Sequence, residues 1–204
     1  MRQLSIFLSI SMLLAGCTGM NQAECLNANW ELIGLEDGNY GRNLSYANRH
    51  QSDCSKYDSQ IDMEAYRTGH AEGLQNFCRA ENGFNLGRSG RPYSGICPSD
   101  LEDAFLSEYD TGKEFYFLDK EISDTKAEIN THLNRIKNIN NEIDLKAERA
   151  VQLDISPAQR DRIQNEMREL QFEMLDRQQL VGDLQLYLED KEYDLNELSQ
   201  YFGR

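Results

Sequence analysis

From Ile163 onward, apolar residues recur every seven positions. Met167, Met174, Val181, Leu188, Leu195 and Phe202 form one row. Ile163, Leu170, Leu184 and Leu198 form a second, offset by three and broken by Arg177 and Lys191. Two rows at that offset predict a coiled-coil seam rather than a broad globular face. The preceding stretch carries a matching row at Ile122, Ile129, Ile136, Ile143 and Ala150. Its companion row is mostly polar, with Thr125, His132 and Lys146 around Ile139, so the seam is only half apolar. The pattern predicts one long helix, a tight turn at Asp154 to Ser156, and a returning helix. Ser99 with Glu102, after Pro98, reads as a capping box that starts the outgoing helix. Ser156, Pro157 and Gln159 supply the N-cap, the N1 proline and the N3 partner of the return.

A turn centred near Ile155 fixes the register. Ile143 then faces Met167, Ile136 faces Met174, Ile129 faces Val181, Ile122 faces Leu188, and Phe115 faces Leu195. Sliding by three or four residues would set isoleucines against Arg177 or Lys191, and an unpaired charge there is costly. The same register places Lys191 beside Asp119, Leu198 beside Gly112, and Phe202 at the turn before Tyr109.

The first half of the chain has no such rows. Gly34, Gly38 and Gly41 recur at four and three residues, Gly69 and Gly73 follow Tyr66, and Gly112 follows Tyr109. A glycine costs about 1 kcal/mol relative to alanine inside a helix. Glycines on one side of a helix therefore mark close crossings, with Trp30, Tyr66 and Tyr109 packing beside the gaps. Between Cys78 and Cys97, glycines at 83, 87, 90 and 95 interrupt a stretch without apolar periodicity, which predicts a loop. The fold class is mainly α: a small disulfide-stapled helical domain at 25–112 and a long antiparallel helical hairpin, a coiled-coil arm, at 113–204.

Residues 1–16 read as a signal peptide, with Arg2 before an apolar run too short to span a bilayer comfortably. The run ends in Leu14, Ala15, Gly16 and Cys17, and here the chain resembles bacterial lipoproteins, cleaved before a cysteine that becomes acylated. That resemblance makes Cys17 the lipid-bearing start of a tether at 17–24. Thr18, in place of the aspartate tied to inner-membrane retention in that class, implies the outer membrane. Five cysteines less Cys17 leave Cys25, Cys54, Cys78 and Cys97, which allow two disulfides in three connectivities. Cys25 with Cys54 and Cys78 with Cys97 are favoured, because each pair closes a local loop. A metal site with His50, four residues before Cys54, lacks paired Cys-x-x-Cys spacing, so no metal and no cofactor are expected.

The formal net charge is −14, and from Leu101 on there are 13 Lys and Arg against 24 Asp and Glu. Such acidity argues against nucleic acid and against the arm lying on anionic lipid. Arg79, Arg88 and Arg91, with Tyr93, make the stretch at 79–97 the most basic patch and the candidate ligand loop.

Taken in order, Cys25, Asn29, Trp30, Gly34, Asp37, Gly38, Gly41, Cys54, Tyr66, Gly69, Gly73, Leu74 and Cys78 carry a family likeness. It continues through Asn82, Gly83, Phe84, Gly87, Tyr93, Cys97, Pro98, Phe105, Tyr109 and Gly112. The chain resembles the uncharacterised bacterial lipoprotein family called domain of unknown function 2799. That resemblance implies an exported lipoprotein and supplies no activity.

Of the histidines, His132 falls in the polar row of the arm, and His70 is within reach of Asp37 or Glu72 on a helix. No nucleophile elbow, zinc-protease pair, phosphate loop or dinucleotide fingerprint is present, and no catalytic residue is assigned. The expected function is a non-catalytic interaction or scaffold lipoprotein, anchored in the outer membrane, facing the periplasm and meeting an envelope protein through its hairpin. The alternative is a binding module that takes an anionic envelope ligand or glycan on the 79–97 loop. Replacing Cys17 by serine should leave the signal uncleaved or release the protein from the membrane fraction on cell fractionation. A processed, membrane-bound Cys17→Ser protein would rule out lipidation.

Overall fold

The computed structural model describes residues 19–204. The signal peptide expected at 1–16 and the lipid site at Cys17 lie outside them. Among the described residues there are seven α-helices and no strand: α1 Gln22–Leu26, α2 Trp30–Asn39, α3 Ala47–Cys54, α4 Met63–Phe77, α5 Ala80–Arg88, α6 Ser99–Ala150 and α7 Pro157–Phe202. The fold class is the expected one. The chain divides into two compact units, the first running to Asn82 with Tyr93–Leu106, the second holding Gly83–Pro92 and Ser107–Arg204.

In the first unit α2 and α4 cross at backbone contact. A Cβ on Gly34 would fall on the carbonyl of Tyr66, and one on Gly69 on that of Glu31. One turn on, Gly38 meets the His70 carbonyl and Gly73 the Leu35 carbonyl. Local signals start each helix, since the Asn29 side chain accepts from Leu32 N–H and Asp62 accepts from Glu64 and Ala65 N–H. Gly41, at φ 68°, ends α2 with Arg42 N–H bonded to the Asp37 carbonyl and Gly41 N–H to Gly38, a Schellman pair. The core gathers Cys25, Trp30, Ala47, Cys54, Ile61 and Tyr66. Disulfides join Cys25 to Cys54 and Cys78 to Cys97, the two local pairings. Each such crosslink contributes about 2 to 4 kcal/mol. Phe105 is fully buried between Phe77 and Tyr93, at ring distances of 5.6 and 4.9 Å.

The second unit repeats the device one turn shorter. Gly87 on α5 meets the Tyr109 carbonyl on α6, and Gly112 meets that of Phe84. Gly90 closes α5 as Gly41 closes α2, with Arg91 N–H on the Leu86 carbonyl. Residues 80–88, expected as loop, are therefore helix. Their apolar period is weak because two of the three buried positions, Gly83, Leu86 and Gly87, are glycine, and Gly87 contacts backbone rather than side chain.

The outgoing and returning helices, 52 and 46 residues long, form an antiparallel hairpin. At 1.5 Å per residue the return is about 70 Å long. Ile122, Ile129, Ile139 and Val181 are buried in its seam. At the turn, the Ser156 and Gln159 capping box forms as expected, Pro157 sits at N1, and Arg160 Nε donates to the Ala150 carbonyl at 2.8 Å. Mid-hairpin lies a polar layer. Glu173 accepts a bidentate pair from Arg135, at 3.0 and 2.9 Å, and a third bond from Arg177 at 2.9 Å. Arg177 also donates to His132 Nδ1 at 3.0 Å. Hydrogen bonds from Arg135 and Arg177 pull the Glu173 carboxyl down to about 2.

Phe115 meets the ring of Phe202 at 6.4 Å, a contact the expected register did not include. Two expectations need correction. Lys191 pairs with Asp190 and Asp194 on its own helix, and Asp119 with Arg88, because nearer partners exist for both. Glu102 does not close a box on Ser99; it accepts from the Tyr93 hydroxyl at 2.9 Å.

Gly69→Ala should destabilise the protein by about 1 to 3 kcal/mol, since neither backbone can yield without opening the crossing. Gly182→Ala on α7, where nothing lies within 4 Å, should raise stability by up to about 1 kcal/mol in dilute solution. Thermal melts followed by circular dichroism compare them, and equal effects would refute the interlocked-backbone account.

Candidate functional site

The first unit encloses a polar cluster built on α2. Asp37 lies one residue before Gly38, on the face that the glycines press against α4, and only 2 % of it is exposed. A carboxylate so buried needs donors. Tyr66, fully buried on α4, gives its hydroxyl to Oδ2 at 2.7 Å. His50 on α3 places Nε2 2.8 Å from the same oxygen, and Arg42, just past the helix cap, gives Nη1 to Oδ1 at 2.5 Å. His70 bonds through Nε2 to the Arg42 carbonyl at 2.7 Å and stacks on Tyr66 at 5.9 Å. The Arg42 guanidinium lies 4.4 Å from the Tyr46 ring centroid.

Burial alone would raise the Asp37 carboxyl; the bonds from Tyr66, His50 and Arg42 outweigh it and hold the group below its ordinary value. Burial and the neighbouring carboxylate push the Tyr66 phenol well up, which keeps it a donor rather than a nucleophile. Chemically, the cluster is a charge-compensated clamp that locks α2, α3 and α4 together.

The sequence brought Asp37 and Tyr66 forward as parts of separate motifs, and the structure joins them. It gives His70, weighed as a partner of Asp37, to the Arg42 carbonyl, and gives Asp37 to His50. One signal was available: an acid three residues after Gly34 and adjacent to Gly38 shares their side of the helix, whereas Glu36 points away and is exposed. The contribution of His50 comes from another element and carried no sequence signal.

The four residues of the candidate ligand loop divide between the two units. Arg79 Nε donates to the Asn76 carbonyl at 3.1 Å, and the Tyr93 hydroxyl bridges Cys97 N–H and Glu102, each at 2.9 Å. These two lie in the first unit. In the second, Arg88 pairs with Asp119, and Arg91 Nε donates to Ser89 Oγ at 3.3 Å. Among the described residues no group of three or more His, Cys, Asp or Glu is placed to hold a metal ion. No helix among them is long and apolar enough to cross a membrane.

Asp37→Asn should cost about 2 to 4 kcal/mol at neutral pH, through loss of charge-assisted bonds to Tyr66, His50 and Arg42. The Asp37 pKa is lowered on folding, so its stabilisation is complete above the ordinary value of 3.8 and fades as pH falls through the folded value. Urea titrations at pH 7 and pH 3 should therefore show a smaller wild-type-to-mutant gap at the lower pH. An undiminished gap would contradict the ionised clamp.

The glycine crossings and the Asp37 clamp lie within a stretch that a family model matches. Residues 29–114 match the family model described as "Protein of unknown function (DUF2799)". No curated protein and no solved structure matches the chain. The matched stretch runs from the N-cap of α2 to just past Gly112, and takes in both crossings and the clamp. Over residues 29–114 the chain is thus similar to the DUF2799 domain family, whose function is unknown.

Proposed function

We propose that the protein is a lipoprotein anchored in the outer membrane through Cys17, acting in the periplasm as a non-catalytic interaction or scaffold protein through its helical hairpin. The observation that supports this reading is the outer surface of the hairpin. Phe172, Leu175, Leu186 and Tyr193 on α7 are all more than half exposed, along a helix whose opposite face is already packed on α6. Large apolar side chains in a row outside the seam are a feature of contact surfaces. The alternative, an anionic ligand on the 79–97 loop, ranks second because Arg88 is neutralised by Asp119 and the Tyr93 hydroxyl is already bridged.

Photo-crosslinking amino acids placed along α7 in living cells, followed by mass spectrometry, tests the reading. Positions 172, 175, 186 and 193 should give discrete adducts with an envelope protein, while positions 122 and 181 in the seam should give only intramolecular products. Adducts absent from the arm altogether would refute it.

A further inference from the structure

Gly182 is out of place. Gly34, Gly38, Gly69, Gly73, Gly87 and Gly112 each have the backbone of a crossing helix where a Cβ would go, and Gly182, deep inside α7, has nothing within 4 Å. It also lies in the middle of the outer ridge. Phe172, Leu175, Gln179, Gly182, Leu186 and Tyr193 follow one another at spacings of three and four, with Glu189 completing the last step. That is a second heptad seam, turned away from the first. The four large apolar members are 57 to 68 % exposed.

The flanks of the ridge identify what fits it. On one side run Gln164, Gln171, Gln178 and Gln185; on the other, Glu169, Asp176, Asp183 and Asp190. Each acid follows a glutamine by five residues. In a parallel two-helix seam, a residue on one flank meets the residue five positions further along on the opposite flank of the partner helix. A second α7 laid parallel to the first would therefore set every glutamine amide against a carboxylate. Antiparallel pairing would set acid row against acid row, which is repulsive.

We propose that the outer ridge of α7 binds a second copy of this chain, the two α7 helices running parallel about a two-fold axis. This deepens the reading of the hairpin as an interaction element and rests on it. On the axis Phe172, Leu175, Leu186 and Tyr193 each meet their own counterparts, as an isologous contact requires. Gln179 meets Gln179, a polar pair in the seam that fixes register. Gly182 lets the two backbones approach, as the other helical glycines do within the chain. Glu189 meets Glu189 and the net charge is −14, so the dimer is weak and reversible.

Analytical ultracentrifugation of the full chain in density-matched detergent tests this, with three proteins compared. The wild type should show a concentration-dependent monomer–dimer equilibrium. The triple variant Q171K/Q178K/Q185K puts ammonium groups against the acid row in the parallel arrangement and should tighten the dimer about tenfold. N134K/N138K/N141K, on exposed α6 positions, makes the same change in net charge and should have a much smaller effect. Weaker association in the glutamine variant would mean that lysine faces lysine and would overturn the parallel dimer. No association in either wild type or glutamine variant would overturn the second copy as occupant. In-cell adducts with another protein, without self-association, would remove this proposal and leave the proposed function standing. A dimer without such adducts would do the reverse.

Discussion

The constraint on which both units depend is backbone-to-backbone contact between helices. Where Gly34 meets Tyr66 and Gly69 meets Glu31, no side chain fits between the two helices, so neither can rotate or slide without a clash. Interlocking of this kind fixes crossing geometry more tightly than side-chain packing, which tolerates volume-conserving exchange. Its cost is the conformational freedom of each glycine in the unfolded chain. In the first unit two disulfides, closing loops with separations of 29 and 19 residues, lower the entropy of that same unfolded chain. Glycine crossings and disulfides are in this sense complementary parts of one solution for a domain with few large apolar residues.

Close approach also creates the polar clamp. With α2 held against α4 at Gly34 and Gly38, the Asp37 side chain has no path to water and must be satisfied within the crossing. Tyr66 reaches it because the position three residues before Gly69 lies beside the contact, and Arg42 reaches it because the glycine cap at Gly41 folds the chain back over the helix end. The second crossing, one turn shorter, carries the buried Leu86 at the position equivalent to Asp37, between Gly83 and Gly87. A charged clamp is thus a property of the longer crossing and not of the glycine device itself.

Much of this was legible in the sequence, unevenly. The α6–α7 hairpin, its turn and its cap could be read from Ile122 to Phe202, because heptad repetition is a long-range signal that local exceptions do not erase. The glycine crossings of α2 with α4 were legible as a spacing. The helix at 80–88 was not, because a helix whose buried face is mostly glycine, with Leu86 alone between, has little apolar period and looks like a turn-rich loop. The disulfide pairs followed loop locality. His50 on Asp37 was illegible, since it depends on how α3 returns over the crossing, and the Phe115 to Phe202 contact was missed because a register lists only residues directly opposite, while two aromatic rings reach past them.

The hairpin seam shows how a polar interior can specify structure while weakening it. Arg177 interrupts an apolar row, yet it is not left unpaired: Glu173 and His132 receive its donors, and Arg135 joins from α6. These groups are partly exposed, so their ion pairs add little net stability in water. What they do is penalise alternatives, because any slide of α6 along α7 strands a guanidinium against isoleucine. Stability must then come from the apolar stretches on either side and from both ends. At the turn it comes from the Ser156 box and Pro157. At the other end it comes from Phe115 on Phe202 and from Arg204, which pairs with Glu108 at 2.7 Å and lies over the Phe84 ring at 4.0 Å. A hairpin fastened at both ends and registered in the middle keeps one alignment of its outer face, and any partner that reads the spacing of Phe172, Leu175, Leu186 and Tyr193 requires that single alignment.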